Sequence, residues 1–168
     1  SRGLGDVYKR QVLKEVKRTE IANITITCTD NIKSRLDLWN VLAKVPSSSY
    51  TDNNTPLYWM DFGNTKTAGQ VVLGTVPKKI KQPVSTMYET VGSLKVITRF
   101  VKYARVKEVD SGPSCSLAEA LEKQDLFINS TLAQLGCNIL WKMFRHGMIE
   151  HHGLFLNLET MKVNPIGV

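Results

Sequence analysis

The stretch Ile24-Thr-Ile-Thr-Cys-Thr-Asp-Asn-Ile-Lys-Ser-Arg35 constrains this chain most. Ile24, Ile26 and Cys28 alternate with Thr25, Thr27 and Thr29, the period of a half-buried strand. Asp30 and Asn31 follow at once, and both residue types favour the N-cap of a helix. Ile32, Leu36, Trp39 and Ala43 then recur at helical spacing until Pro46 ends the pattern. A carboxylate and an amide therefore sit where a strand turns into a helix, the edge at which open α/β sheets bind ligands. From spacing alone, Asp30 is either a ligand-binding group or only the cap of its helix.

Further elements follow along the chain. Strands are expected at about 21–28, from Leu57 to Phe62 and from Gly69 to Val76, and a helix at about 31–45. A long crossover loop fills 77–93, where Pro77, Pro83 and Gly92 interrupt any period. Leu94, Ile97, Phe100, Val101 and Ala104 mark an amphipathic helix. Ser116-Leu-Ala-Glu119 fits a capping box. A long helical pattern then runs through Phe127, Ile128, Leu132, Leu135, Ile139, Leu140, Met143 and Phe144 to Gly147, a good left-handed stop. Leu154–Leu158 and Met161–Val163 read as a closing hairpin. Residues 1–11 contain Gly3-Leu-Gly5-Asp-Val-Tyr8, which fails as a phosphate loop because no strand precedes it. That segment is read as an unstructured leader or artefact, and 12–168 as one α/β domain.

A chain of 168 residues with 42% apolar residues can bury a real core. No apolar run approaches the ~18 residues that cross a bilayer, so no membrane is expected. With no secretory signal visible, a cytoplasmic location is the default. The net charge of +7 invites nucleic acid. The basics at Lys95, Arg99, Lys102, Arg105 and Lys107, however, fall partly on one helix face and read as a solvated face. Nucleic acid is therefore not the expected partner, although attraction to an anionic nucleotide or acidic protein stays open.

Cys28, Cys115 and Cys137 form no C-x-x-C pair, which argues against both a disulfide framework and a zinc site. Cys28 is expected to be buried in its strand and Cys137 in the helix core. Cys115 directly precedes the capped helix start at Ser116, where partial positive charge favours thiolate. It is either a nucleophile or an inert loop residue. His146, His151 and His152 lie near the end of the long helix and read as a solvated turn rather than a metal pair.

The words Cys28-Thr-Asp-Asn31 and Asp30-Asn-x-x-x-Arg35 resemble the signature of the ThiF/MoeB family, relatives of ubiquitin-activating enzymes. Gly69-Gln-Val71 and the long helix, glycine and hairpin at the chain's end also resemble that domain, over roughly residues 19–168. Trp59-Met-Asp-Phe-Gly-Asn64, Pro113-Ser-Cys-Ser-Leu-Ala-Glu-Ala120 and Asp125-Leu-Phe-Ile-Asn-Ser130 look closest to the ThiF-family branch of the PRTRC cassette of bacterial mobile elements. The resemblance implies a three-layer Rossmann-like fold with a mixed sheet. It implies ATP-dependent adenylation of the C-terminus of a small ubiquitin-like or sulfur-carrier protein, with ATP and Mg²⁺ as cofactors. Other PRTRC cassette proteins are implied partners, with room for a homodimer.

Carried over by position, Asp30 would be the catalytic residue and hold Mg²⁺ through the nucleotide, with Asn31 and Arg35 beside it in nucleotide binding. Arg35 either faces the phosphates or pairs with Asp30 or Asp37. Pro113-Ser-Cys-Ser resembles the surroundings of a thioester cysteine, which makes Cys115 a second catalytic candidate. The structural zinc pairs of many members are absent. So is the glycine-rich half that would cradle ATP, so the chain is expected to be the C-terminal part of such an enzyme. The alternative is a non-catalytic scaffold of the same fold that binds a partner protein.

Overall fold

The computed structural model describes residues 21–29, 31–45, 55–76, 79–100 and 124–168. Five strands form one sheet in the order β1-β2-β3-β4-β5. They are β1 (Ile24–Thr27), β2 (Tyr58–Asn64), β3 (Ala68–Thr75), β4 (His151–Asn157) and β5 (Lys162–Gly167). β1 runs parallel to β2, and the remaining neighbours are antiparallel, so the sheet is mixed as expected. The helices are α1 (Ile32–Lys44), α2 (Ile97–Phe100) and α3 (Ile128–His146). Asp30 and Cys115 lie outside the described residues, as does the capping box at Ser116.

Strand alternation divides the core. Met60, Val71, Leu73, Leu154 and Leu156 point to one face, where Ile128, Leu132 and Ile139 of α3 cover them. Trp59 and Val72 point to the other, against Leu38 and Leu42 of α1 and Val96 and Ile97 beside and within α2. Helices thus lie on both faces of the sheet among the described residues. None of these helices is long and apolar enough to cross a membrane.

Glycines fix two of the approaches. A Cβ at Gly136 would run into the ring of Phe62, so α3 can lie this close to β2 only where the side chain is missing. Gly147 adopts φ 72° and its N–H bonds Met143 O at 2.9 Å, closing α3 where the sequence places its stop. The β4–β5 hairpin is present and longer than the sequence suggests. Its turn is tied by Thr160 N donating to Asn157 Oδ1 at 3.0 Å.

Several expectations about side chains fail. Cys137 is exposed, not core. The buried positions of α3 are Ile128, Leu132, Gly136 and Ile139, and the residue after Gly136 is turned about 100° away from that stripe. Phe127 and Phe144 are likewise exposed. Phe127 precedes the helix instead of lying within it, and its N–H is held by the Asp125 carboxylate. Cys28 is also exposed, beyond the end of β1. Ile26 is 52% exposed. The α3 layer packs on β2, β3 and β4, while β1 is an edge strand, so its apolar side gains little cover.

The crossover stretch is held at both ends. Thr75 Oγ1 receives the N–H of Leu94 at 3.0 Å, and Ile80 N donates to Gly92 O at 2.8 Å. Replacing Gly136 by Val should lower stability by about 1–3 kcal/mol through overpacking against Phe62. The check is the urea midpoint at constant m-value; an unchanged midpoint would mean that α3 does not need this close approach.

Candidate functional site

The carboxyl ends of β1 and β2 lie side by side, and α1 starts there. Asn31 is the N-cap of α1 in extended backbone, and its Oδ1 accepts the N–H of Ser34 at 2.7 Å. Of the two cap candidates in the sequence, Asn31 therefore supplies the cap.

Arg35 lies one turn into α1 and is 8% exposed. Among the described residues its carboxylate partner is Asp61, not Asp37. Nε donates to Asp61 Oδ2 at 2.9 Å and Nη2 to the Phe62 carbonyl at 3.0 Å. Asp37 instead pairs with Lys33 at 2.7 Å on the solvent side of the helix. The reason is rotational: position 35 shares the inward stripe of α1 with Leu38 and Leu42, while 33 and 37 face out.

Asp61 is fully buried in mid-strand and was not singled out from sequence. A lone acid inside the apolar run Leu57–Phe62 is the signal that could have found it. Its second oxygen accepts the Thr27 hydroxyl at 2.6 Å, and Thr27 Oγ1 in turn accepts Trp59 Nε1 at 2.8 Å. Trp59 stacks on Trp39 of α1 with centroids 5.9 Å apart. Burial raises the Asp61 carboxyl above its ordinary range, against the opposing pull of the Thr27 hydroxyl and the Arg35 guanidinium. The threonine side of β1 thus serves this network, which explains why that side turns inward.

Next to the pair runs a row of registered residues. Gly63 pairs with Gln70, Gln70 with Phe155 and Phe155 with Asn164, across four neighbouring strands. A Cβ at Gly63 would strike Gln70 Nε2 and come within 2.9 Å of Arg35 Nη2, so the bare glycine lets both side chains lie over it. The row borders an open groove of about 260 Å³ lined by Thr65, Gln70, Phe155, Asn157 and Asn164 among others, with no charged side chain. Carboxamides carry both donors and acceptors, so this lining suits a neutral, hydrogen-bonding ligand over a phosphate. The hydroxyl of Thr29 is buried and has no hydrogen-bond partner among the described residues.

The thiol of Cys28 is pushed up by partial desolvation and then by the Asp61 charge, with Arg35 opposing, so it is a poor nucleophile at neutral pH. His151 and His152 do not share a solvated turn. They begin β4, and a register shift between His151 and Gly153 puts His152 inside while His151 stays exposed. His152 Nδ1 donates to the Leu73 carbonyl at 2.6 Å, and its ring lies 5.7 Å from that of Phe100. No cluster of three His, Cys, Asp or Glu suited to a metal occurs among the described residues.

No protein-family model matches the sequence, and no curated protein matches it.

Two outcomes follow from this geometry. Breaking the buried pair with Arg35→Met or Asp61→Leu alone should cost about 3–5 kcal/mol, because each leaves an unpaired charge; the double variant should recover most of it. Urea unfolding of the four proteins measures the coupling, and additive losses would show that the pair is not coupled. The second concerns pH. Burial lowers the His152 pKa below its ordinary 6.5, with Lys95 adding to the effect and the Leu73 carbonyl opposing it. The unfolded chain then takes up the proton first, so stability is full above about pH 6.5 and falls as pH drops below it. A His152→Gln variant should show a flatter midpoint between pH 7 and 5 than the parent; parallel curves would remove His152 as the cause.

Proposed function

We propose that this chain supplies the C-terminal part of an ATP-dependent adenylating enzyme, acting on the C-terminal carboxylate of a small ubiquitin-like or sulfur-carrier protein. The observation that carries the reading is the strand-to-helix edge of Cys28-Thr-Asp-Asn31. Asn31 caps α1 there, just after a strand that runs parallel to β2, and the sequence sets a carboxylate, Asp30, directly before that cap. The family resemblance of that tetrapeptide supplies the chemistry.

Adenylation requires the acceptor carboxylate to be held in line with the α-phosphate as pyrophosphate leaves. Mg²⁺, when bound with the nucleotide, neutralises the developing charge. The Asp30 carboxylate and the orphaned Thr29 hydroxyl are oxygen donors of the kind that a hard cation takes. The groove along Gln70, Phe155 and Asn164 suits an extended tail, whose main-chain amides match the carboxamides. Arg35, tied to Asp61 and to the Phe62 carbonyl, acts as a positioning residue that holds α1 on β2.

The same engagement of Arg35 favours a second reading. Both cations in the first turns of α1, Lys33 and Arg35, are paired with carboxylates of this chain. A scaffold that binds the carrier without activating it would need neither for phosphate.

ATP–pyrophosphate exchange separates the two, measured in the protein extended by its upstream coding sequence and supplied with a carrier. Exchange should occur and should fall by about 10²-fold or more in Asp30→Ala, with unfolding little changed. Gln70→Ala should raise the carrier KM and spare kcat. Carrier binding with no exchange would leave the scaffold.

A further inference from the structure

The last turns of α3 carry a surface that neither the core nor the groove uses. Trp141 and Phe144 are 63% and 67% exposed, and Met148 beyond the helix is 41% exposed. Trp141 and Phe144 stand three residues apart, hence on one side of α3, away from the core stripe of Leu132, Gly136 and Ile139. Lys142, Arg145 and His146 lie among them, all exposed. The sequence between Asp125 and Glu150 contains no Asp or Glu. Neither Lys142 nor Arg145 meets a carboxylate among the described residues. By contrast, Trp39 and Trp59 are stacked on each other in the core.

We propose that this face of α3 binds single-stranded nucleic acid, with bases stacking on Trp141 and Phe144 and phosphates meeting Lys142 and Arg145. Aromatic side chains one turn apart on a helix are separated by ~5–6 Å at Cβ, within reach of successive unstacked bases. Cations interleaved with the rings supply the sequence-independent attraction to the backbone. The positive balance of the whole chain, +7, adds to it. A bilayer is the poorer match. Helices that lie on membranes separate a broad aliphatic face from a basic one. Here the aliphatic side of α3 is already spent on the sheet, and the exposed rings alternate with Lys142 and Arg145. Rings and cations thus interleave along 141–145.

The test is a titration of fluorescein-labelled dT20 with the whole chain, followed by anisotropy and by tryptophan emission. Saturable binding with quenching of tryptophan emission is expected at 50 mM NaCl. With two phosphates neutralised, affinity should fall about sevenfold at 200 mM NaCl. Trp141→Ala with Phe144→Ala should weaken binding at least about fivefold while keeping the salt slope. Lys142→Gln with Arg145→Gln should flatten the slope. All four positions are on the surface, and circular dichroism confirms that the variants fold. Three results would overturn the proposal. The first is no binding at 50 mM NaCl. The second is affinity unchanged by the aromatic pair, which would assign binding to basic residues elsewhere. The third is aromatic-dependent binding to phosphatidylserine–phosphatidylcholine vesicles with none to dT20, which would make this a lipid-facing surface.

Discussion

The bond between Arg35 and Asp61 is the interaction on which the arrangement at the carboxyl edge depends. It joins the inward side of α1 to the middle of β2 at 2.9 Å, with both side chains removed from water. A buried carboxylate is costly unless its oxygens are satisfied. Here one oxygen is met by the guanidinium and the other by Thr27, so α1, β1 and β2 share one network. Trp59 enters it through its indole N–H and carries it to Trp39 by stacking. Rotating α1, or sliding β1 by a residue, would break several of these bonds together. That is a stronger constraint on geometry than the packing of Leu38 and Leu42 alone, because hydrophobic contacts tolerate small shifts.

The same network shapes what lies beside it. Arg35 extends past Gly63 to the Phe62 carbonyl, and Gln70 leans over the same glycine. The groove beyond Gln70 is lined by neutral residues alone. In the proposed adenylation this neutral groove would orient a polar tail, and the strand-to-helix edge would meet the charged reactants. The scaffold reading uses the groove in the same way and omits the second half.

Away from this edge, the sheet face covered by α3 is conventional. Small residues at Gly136 and on β3 and β4 admit close packing, and the helix ends where its glycine turns left-handed. Exposure of Trp141 and Phe144 on the far side of α3 is what packing does not explain, and a surface with flanking cations gives those rings a use.

Much of the framework could be read from the residues. The strand-to-helix switch at Ile24–Arg35, the Leu57–Phe62 and Gly69–Val76 strands, the long helix ending at Gly147 and the closing hairpin are all local patterns. Periodicity, caps and turn residues act within a few positions, so sequence alone determines them. Which side of each element turns inward was decided only by the tertiary structure. Cys137 and Phe144 carry apolar side chains at plausible core positions, yet α3 presents another stripe to the sheet. Ile26 and Cys28 fit an inward face, yet β1 is an edge strand and its threonine side meets Asp61. Asp61 and Arg35 are 26 positions apart, and nothing local foretells that they meet. Burial and pairing depend on what packs opposite, and that is set by chain segments distant in sequence.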